Sequence, residues 1–343
     1  MKVTSASVDF PAALAIVREG GSLDAETSAR MFETIMTGQV PEADLIAFLT
    51  AQAERGPTVP EIVGAVRTMR AGMHAVTASA GAIDLCGTGG DGLGTLNIST
   101  AVSFVVAAAG AAVAKHGNRS ASSKSGAADI LEALGVKIDL EPARASQVLA
   151  EAGIVFLFAQ THHPAMRHVG KARAQIKRRT IFNLLGPLAS PARVKHQLVG
   201  IYSKDWLVPY AEALKALGST RALVVHGADG LDELTTTGVT YYASLENGQI
   251  TTGIIAPEDA GLKRATLGDL KGGTPAENAA RLKALFDGQQ DAYRDIVLLN
   301  AGAALMVAGV AKDIKDGVAK AAQALDSGAA KAKLNALITA SNK

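Results

Sequence analysis

Apolar positions in the first eighty residues recur at helical spacing. Ala13, Leu14, Ile16 and Val17 share one face, and Gly20-Gly21 stops that segment. Ser22 and Asp24 are both suited to cap a second helix, whose apolar side carries Met31, Phe32, Ile35 and Met36. Pro41-Glu42 and Pro60-Glu61 open a third and a fourth, because proline gives up no useful N–H in a first helical turn. No strand pattern occurs here. Residues 1–81 are therefore expected to form a small helical domain, whose surplus of apolar residues suggests a partner surface such as a dimer interface.

At Ala82 the pattern changes. Short β-branched runs at 111–115, 136–140, 154–158, 197–202 and 222–226 alternate with helical runs at 129–135, 143–153 and 206–218. This alternation predicts an α/β sheet covered by helices over 82–343. Residues 158–189 interrupt it with His162-His163-Pro164, a basic helix and Phe182-Asn183-Leu184-Leu185-Gly186-Pro187. That insertion is expected to return to the helical domain around 165–190. Residues 239–245 and 250–255 flank Asn247-Gly248 and read as a hairpin. The stretch 275–337 is again helical, rich in Ala and Leu.

With 343 residues, 48% hydrophobic and 19% charged, the chain can bury an ample core. Its net charge of +2 offers no general argument for nucleic acid or a membrane surface as partner. The one cysteine, Cys86, rules out an intrachain disulfide and ends an apolar run, as a packed residue would. No basic segment followed by an apolar core opens the chain, and the most apolar late run, 296–310, is too short to span a bilayer and contains Asn300. A cytoplasmic protein is expected.

The chemistry concentrates in residues 84–100. An apolar strand runs into a turn with five glycines, then a Ser/Thr/Asn cluster, then a helical run. Glycine lets backbone N–H groups approach a ligand, and a helix start adds unpaired N–H groups and the dipole's positive end. Together these suit a phosphate. The turn lacks the Lys-Ser/Thr ending of a P-loop. The acidic residue a dinucleotide site needs about 20 positions on is replaced by the basic Lys115-His116-Gly117-Asn118-Arg119-Ser120. Residues 115–126 thus form a second anion segment. Asp232-Glu233 offers hard oxygens of the kind Mg²⁺ takes alongside substrate phosphates, although such a pair alone is commonly a solvated turn. His162, His163 and His168 lack metal-ligand spacing and are expected to wall a pocket. Arg173 is able to hold a carboxylate bidentately. Its basic run, continuing through Lys177-Arg178-Arg179, reads by itself as a solvated helix face and is the one feature favouring nucleic acid.

Taken together, Gly87-Thr88-Gly89-Gly90-Asp91, Asn97-Ile98-Ser99-Thr100, Lys115-His116-Gly117-Asn118-Arg119, residues 158–191 and Asp232-Glu233 resemble the anthranilate phosphoribosyltransferases of tryptophan biosynthesis. The likeness runs over nearly the whole chain and is densest at 84–135, 158–191 and 227–238. It implies a helical domain beside a larger α/β domain, a fold similar to the pyrimidine nucleoside phosphorylases, and a homodimer through the helical domains. It implies anthranilate and phosphoribosyl diphosphate as substrates, with Mg²⁺, two ions being expected. By resemblance, Gly87, Gly90, Asp91, Thr95, Asn97, Ile98, Ser99 and Thr100 contact the phosphoribosyl diphosphate. Lys115, His116, Gly117, Asn118, Arg119, Ser120, Ala121, Ser122 and Ser123 form the second loop around it. Ser99, Asp232 and Glu233 are the metal positions. Gly87, Asn118 and Arg173 match the anthranilate positions, with His116, His163 and Pro164 nearby, and Lys115, Asn118 and Arg173 are expected to carry catalysis. Ala127 stands where the pattern often has Ser, Leu96 where Phe is frequent, and residues 175–178 replace a turn containing Leu-Gly. None of these removes a charged ligand. Two alternatives are a nucleoside phosphorylase of similar fold, which needs no Asp232-Glu233 pair, and a non-catalytic relative binding nucleic acid, which the near-neutral charge disfavours.

Overall fold

A computed structural model describes residues 9–120 and 124–343. In chain order these form helices α1 (Phe10–Arg18), α2 (Ala25–Met36), α3 (Glu42–Arg55) and α4 (Val59–Ala71), then β1 (Ile83–Gly87), α5 (Ile98–Ala108) and β2 (Val113–Gly117). Helices α6 (Ala127–Ala133) and α7 (Pro142–Ala152) and strand β3 (Ile154–Phe158) lead to α8 (Ala159–His162), α9 (Arg167–Ile176) and α10 (Phe182–Leu188). Next come β4 (His196–Gly200), α11 (Leu207–Ala216), β5 (Arg221–Gly227), β6 (Thr240–Glu246) and β7 (Gln249–Ile255). Helices α12 (Pro275–Phe286), α13 (Ala292–Val307), α14 (Ile314–Asp326) and α15 (Ala329–Ser341) follow. Two compact units result: the described residues up to 75 with 162–191, and 76–161 with 192–343.

The first unit is all helix. Asp24, not Ser22, caps α2, its Oδ1 accepting the Thr27 N–H at 2.7 Å. The buried Glu61 carboxylate accepts from Thr58 N–H at 2.9 Å, Leu23 N–H at 3.0 Å and Arg55 at 2.5 Å, which ties the starts of α2 and α4 to the end of α3. A Cβ on Gly64 would stand 2.3 Å from the Ala25 carbonyl oxygen, so α2 and α4 meet at backbone distance. Phe32, Ile35, Phe48, Leu49 and Ile62 fill the interior, and the Phe182 ring packs 5.7 Å from Phe32.

The second unit holds a seven-stranded sheet in the order β3-β2-β1-β4-β5-β6-β7. Strands β1 to β5 pair parallel, and β6 and β7 add an antiparallel hairpin. Asn247 (φ 51°) and Gly248 (φ 74°) both adopt the left-handed backbone that a two-residue hairpin turn demands. Helices α5 and α13 are buried on nearly every side, α5 against β1, β2 and β3 and α13 against β1, β4 and β5. Cys86 is buried, and burial pushes its thiol well up, as a packed residue requires. No helix among the described residues is long and apolar enough to cross a membrane.

The topology has one functional consequence. Chain order reverses at β1, which has β2 on one side and β4 on the other. In open parallel sheets such a reversal leaves a crevice at the carboxyl ends of the strands. Here that end is Gly87 of β1, in register with Gly200 of β4.

Two expectations need correction. Residues 136–140 are not a strand. Val136, Ile138 and Leu140 are buried and Lys137 and Asp139 exposed, so the alternation is real. The segment packs on the core without joining the sheet, and Lys137 N–H donates to Ser341 Oγ at 3.1 Å instead. The unit boundary lies at 75/76, not 81/82, because Val76 packs into the α/β core and Thr77 N–H donates to Ser146 Oγ at 3.0 Å. Correspondingly, the returning segment spans 162–191.

Candidate active site

The glycine-rich loop leaves the crevice at Gly87. Residue 87 must be small, since a Cβ there would stand 2.2 Å from Asp232 Oδ2. At Gly89 a φ of 70° accompanies an N–H that donates to the same Oδ2 at 2.7 Å. Asp91 folds the turn through Leu93 N–H, at 3.1 Å. The far limb is sewn to 270–272: Thr95 bridges Lys271, Leu96 N–H donates to Leu270 O at 2.9 Å, and Gly272 N–H donates to Gly94 O at 2.9 Å. Gly90 is exposed, whereas Ile98 and Thr100 are buried.

Asn97 sits at the N-cap of α5 without capping it. Its Nδ2 donates to Ser125 O at 3.1 Å, and its Oδ1 accepts from Asn278 at 2.8 Å and Ser125 Oγ at 3.2 Å. The first loop, the second loop and α12 are thereby joined. The acidic side chain set against the start of α5 is instead Glu233, whose charged form Ser99 favours against the opposing push of burial.

Lys115 projects from β2 into the same place. It is 3% exposed, and its ammonium donates to Leu85 O and, at 3.1 Å, to Ser99 Oγ. Asp84 beside it accepts the His116 N–H at 2.9 Å. Burial pushes the Asp84 carboxyl up to about 6, against the pull of the Lys115 charge. Beyond Gly117 the second loop is folded by Asp129, whose Oδ2 accepts from Gly126 N–H at 2.8 Å and Ser120 N–H at 3.2 Å, while Asn118 Oδ1 accepts from Arg119 N–H at 2.8 Å. The Arg119 guanidinium lies 5.6 Å from the Phe158 ring centre and is engaged by Glu132 at 2.8 Å and Asp129 at 3.0 Å. In this state it serves α6. Ala127 opens that helix. Ala121, Ser122 and Ser123 lie outside the described residues.

The acidic pair follows β5. Asp229 shapes the turn, accepting from Thr235 Oγ1 at 2.7 Å and Thr237 Oγ1 at 2.6 Å. The Asp232 backbone passes directly over β4, where a Cβ on Gly200 would lie 1.5 Å from its carbonyl oxygen. Burial, then the neighbouring Asp91 carboxylate, pushes Asp232 up to about 7. Burial, then Asp232, pushes Glu233 up to about 8. Lys115 is the cation that offsets Glu233, so the cluster is short of positive charge. Among the described residues no three His, Cys, Asp or Glu side chains form a ready metal cage. Two carboxylates and a hydroxyl fit Mg²⁺, which commonly takes one or two carboxylates and completes its shell with water and substrate phosphate.

The remaining predicted residues belong to the helical unit. Lys171 pairs with Glu42 at 2.8 Å and Arg178 with Glu54 at 3.0 Å, as a solvated helix face does. Arg173 differs. Burial pulls its guanidinium down from its ordinary value, it stacks 5.3 Å from the Phe182 ring centre, and among the described residues no carboxylate pairs with it. His163 is buried and held down at about 4, first by burial; Pro164 next to it opens a short 3₁₀ turn.

Sequence reasoning missed the residues that hold these groups in place. Asp84, Gly200 and Asn278 act on partners far away in the chain, and no local pattern marks them. A buried acid in a strand, as at Asp84, was the one available signal.

The geometry has close counterparts. Residues 79–331 match the α/β domain of the glycosyl transferase family, and 11–73 its helical bundle domain. The anthranilate phosphoribosyltransferase of Rhodopseudomonas palustris (strain BisB18) is 55% identical over 334 residues, covering 97% of this chain and 98% of its own. That of Methylocella silvestris is 56% identical over 324 residues, covering 94% and 93%. The crystal structure of the Thermus thermophilus enzyme matches with a TM-score of 0.92 at 42% identity, over 96% of this chain and 99% of that one. The Saccharomyces cerevisiae enzyme in complex with PRPP and Mg matches with a TM-score of 0.89 at 26% identity, over 97% and 98%. The chain belongs to the anthranilate phosphoribosyltransferase family.

Proposed function

We propose that the chain transfers the phosphoribosyl group of phosphoribosyl diphosphate to the amine of anthranilate and releases diphosphate. The observation that carries this reading is the meeting of Asp232 with Gly89 and of Glu233 and Lys115 with Ser99, at the crevice where the sheet reverses. At the anomeric carbon the bond to diphosphate oxygen breaks, the bond to the anthranilate nitrogen forms, and the nitrogen loses a proton. An aromatic amine is already neutral at pH 7, so the nucleophile needs no strong base and positioning dominates. Arg173 and Asn118 hold anthranilate, Arg173 through its carboxylate. The N–H groups of the glycine loop and the Lys115 ammonium receive the diphosphate. Mg²⁺ held by Asp232, Glu233 and Ser99 supplies charge neutralisation to the leaving group. Two ions suit the pair, since Asp232 serves the glycine loop and Glu233 serves Ser99.

We further propose a homodimer through the helical unit, working in the cytoplasm, which sedimentation and cell fractionation test. The reaction itself is tested by the fluorescence change when protein, anthranilate, phosphoribosyl diphosphate and Mg²⁺ are mixed. Turnover requiring all three additions is expected. Consumption of a nucleoside and phosphate with no anthranilate turnover would favour the phosphorylase reading.

A further inference from the structure

Between residues 296 and 307, α13 carries one polar side chain, Asn300, and it is fully buried. An amide placed there without partners is costly. Asn300 meets that cost with two bonds to Leu234 and one within its own helix: its Oδ1 accepts the Leu234 N–H at 2.9 Å, and its Nδ2 donates to Leu234 O at 2.8 Å and to Ile296 O at 2.9 Å. It pairs with both backbone groups of Leu234 as a neighbouring strand would. Leu234 lies outside any strand and directly follows Glu233. Seven residues earlier, on the same face of α13 and about 10 Å along its axis, the Tyr293 hydroxyl donates to Asn97 O at 3.2 Å. One rigid helix thus props the start of α5 with one side chain and the acidic segment with another.

We propose that Asn300 is a positioning residue that sets where Asp232 and Glu233 stand against the glycine loop and Ser99. This role rests on the reading of that pair as the metal-holding group. Partners that orient metal ligands typically contribute 10–100-fold in metal affinity.

The test measures calorimetric binding of phosphoribosyl diphosphate across a Mg²⁺ series, with the anthranilate KM and the thermal midpoint beside it. The proteins are wild type, Asn300→Leu, the milder Asn300→Ser, and Leu299→Ala as a core-cavity control on the same helix. Both Asn300 variants should need 10–100-fold more Mg²⁺ for half-maximal binding, with anthranilate KM within twofold of wild type. Leu299→Ala should lower the thermal midpoint and leave the Mg²⁺ requirement alone. A wild-type Mg²⁺ requirement in the Asn300 variants, or an equal rise in Leu299→Ala, would overturn the role. If wild type itself shows no Mg²⁺-dependent binding, the metal reading of the acidic pair fails first and the role of Asn300 goes with it.

Discussion

Gly200→Ala adds one methyl group at the place where the Asp232 backbone crosses β4. That carbon would lie 1.5 Å from the Asp232 carbonyl oxygen and 2.3 Å from its carbonyl carbon, where ordinary contact begins at 3.4 Å. The neighbour is backbone and has no rotamer to change. Gly200 is itself fixed between Gly87 and Val225 in the sheet. Relief therefore requires the acidic segment to move by about 2 Å. Overpacking of this kind costs about 1–3 kcal/mol of stability. A misplacement of about 1 Å at reacting groups costs about 10²-fold in rate, so kcat/KM for phosphoribosyl diphosphate should fall at least about a hundredfold. Gly170→Ala, where a Cβ meets nothing within 4 Å, should leave kcat/KM within twofold and controls for the substitution itself. Steady-state fluorescence of anthranilate turnover with thermal unfolding measures both effects. Gly200→Ala with wild-type kcat/KM and an unchanged thermal midpoint would show that Asp232 does not stand over β4.

Arg173→Ala should raise the anthranilate KM about 10–100-fold, the scale of a lost charge-assisted pair of about 1.5–3 kcal/mol. Arg173→Lys should restore little of it, because a point charge does not replace the planar fork; equal rises in both substrates' KM would remove the assigned role. Asp232 and Glu233 titrate at about 7 and about 8 in the fold against 3.8 and 4.5 ordinarily, so their contribution to stability is complete below pH of about 4 and is lost as pH rises through 7 to 8. The thermal midpoint of the metal-free protein should fall between about pH 4 and about pH 8 and level off above that, and Asp232→Asn with Glu233→Gln should flatten that fall. An unchanged slope in the double variant would place the titrating groups elsewhere.

Local chemistry made much of this molecule legible. Asn247-Gly248 announces its turn because few other residue pairs take two left-handed conformations in a row. The glycine loop announces an anion site because so many glycines between a strand and a helix serve little else. Alternation of strands and helices gave the layered sheet, but at 136–140 it misled, since a segment packed on a core alternates whether or not a strand lies beside it. Asn97 shows the other limit. Its type and place fit an N-cap, yet Ser125 and Asn278 take its side chain. Asn300 looked like an interruption of an apolar run and proves to hold Leu234, 66 residues away. Arg173 could not be told from Lys171 and Arg178 by sequence alone, because pairing with α3 distinguishes them and that is a tertiary fact.

The central claim is that the acidic pair, the glycine loop and Lys115 form one metal-dependent site for phosphoribosyl diphosphate. The most direct test titrates this ligand, with and without Mg²⁺, into wild type and into the shape-preserving Asp232→Asn/Glu233→Gln variant. Wild type should bind strongly only with Mg²⁺, and the variant should bind equally weakly in both conditions. Tight, Mg²⁺-dependent binding by the variant would contradict the account.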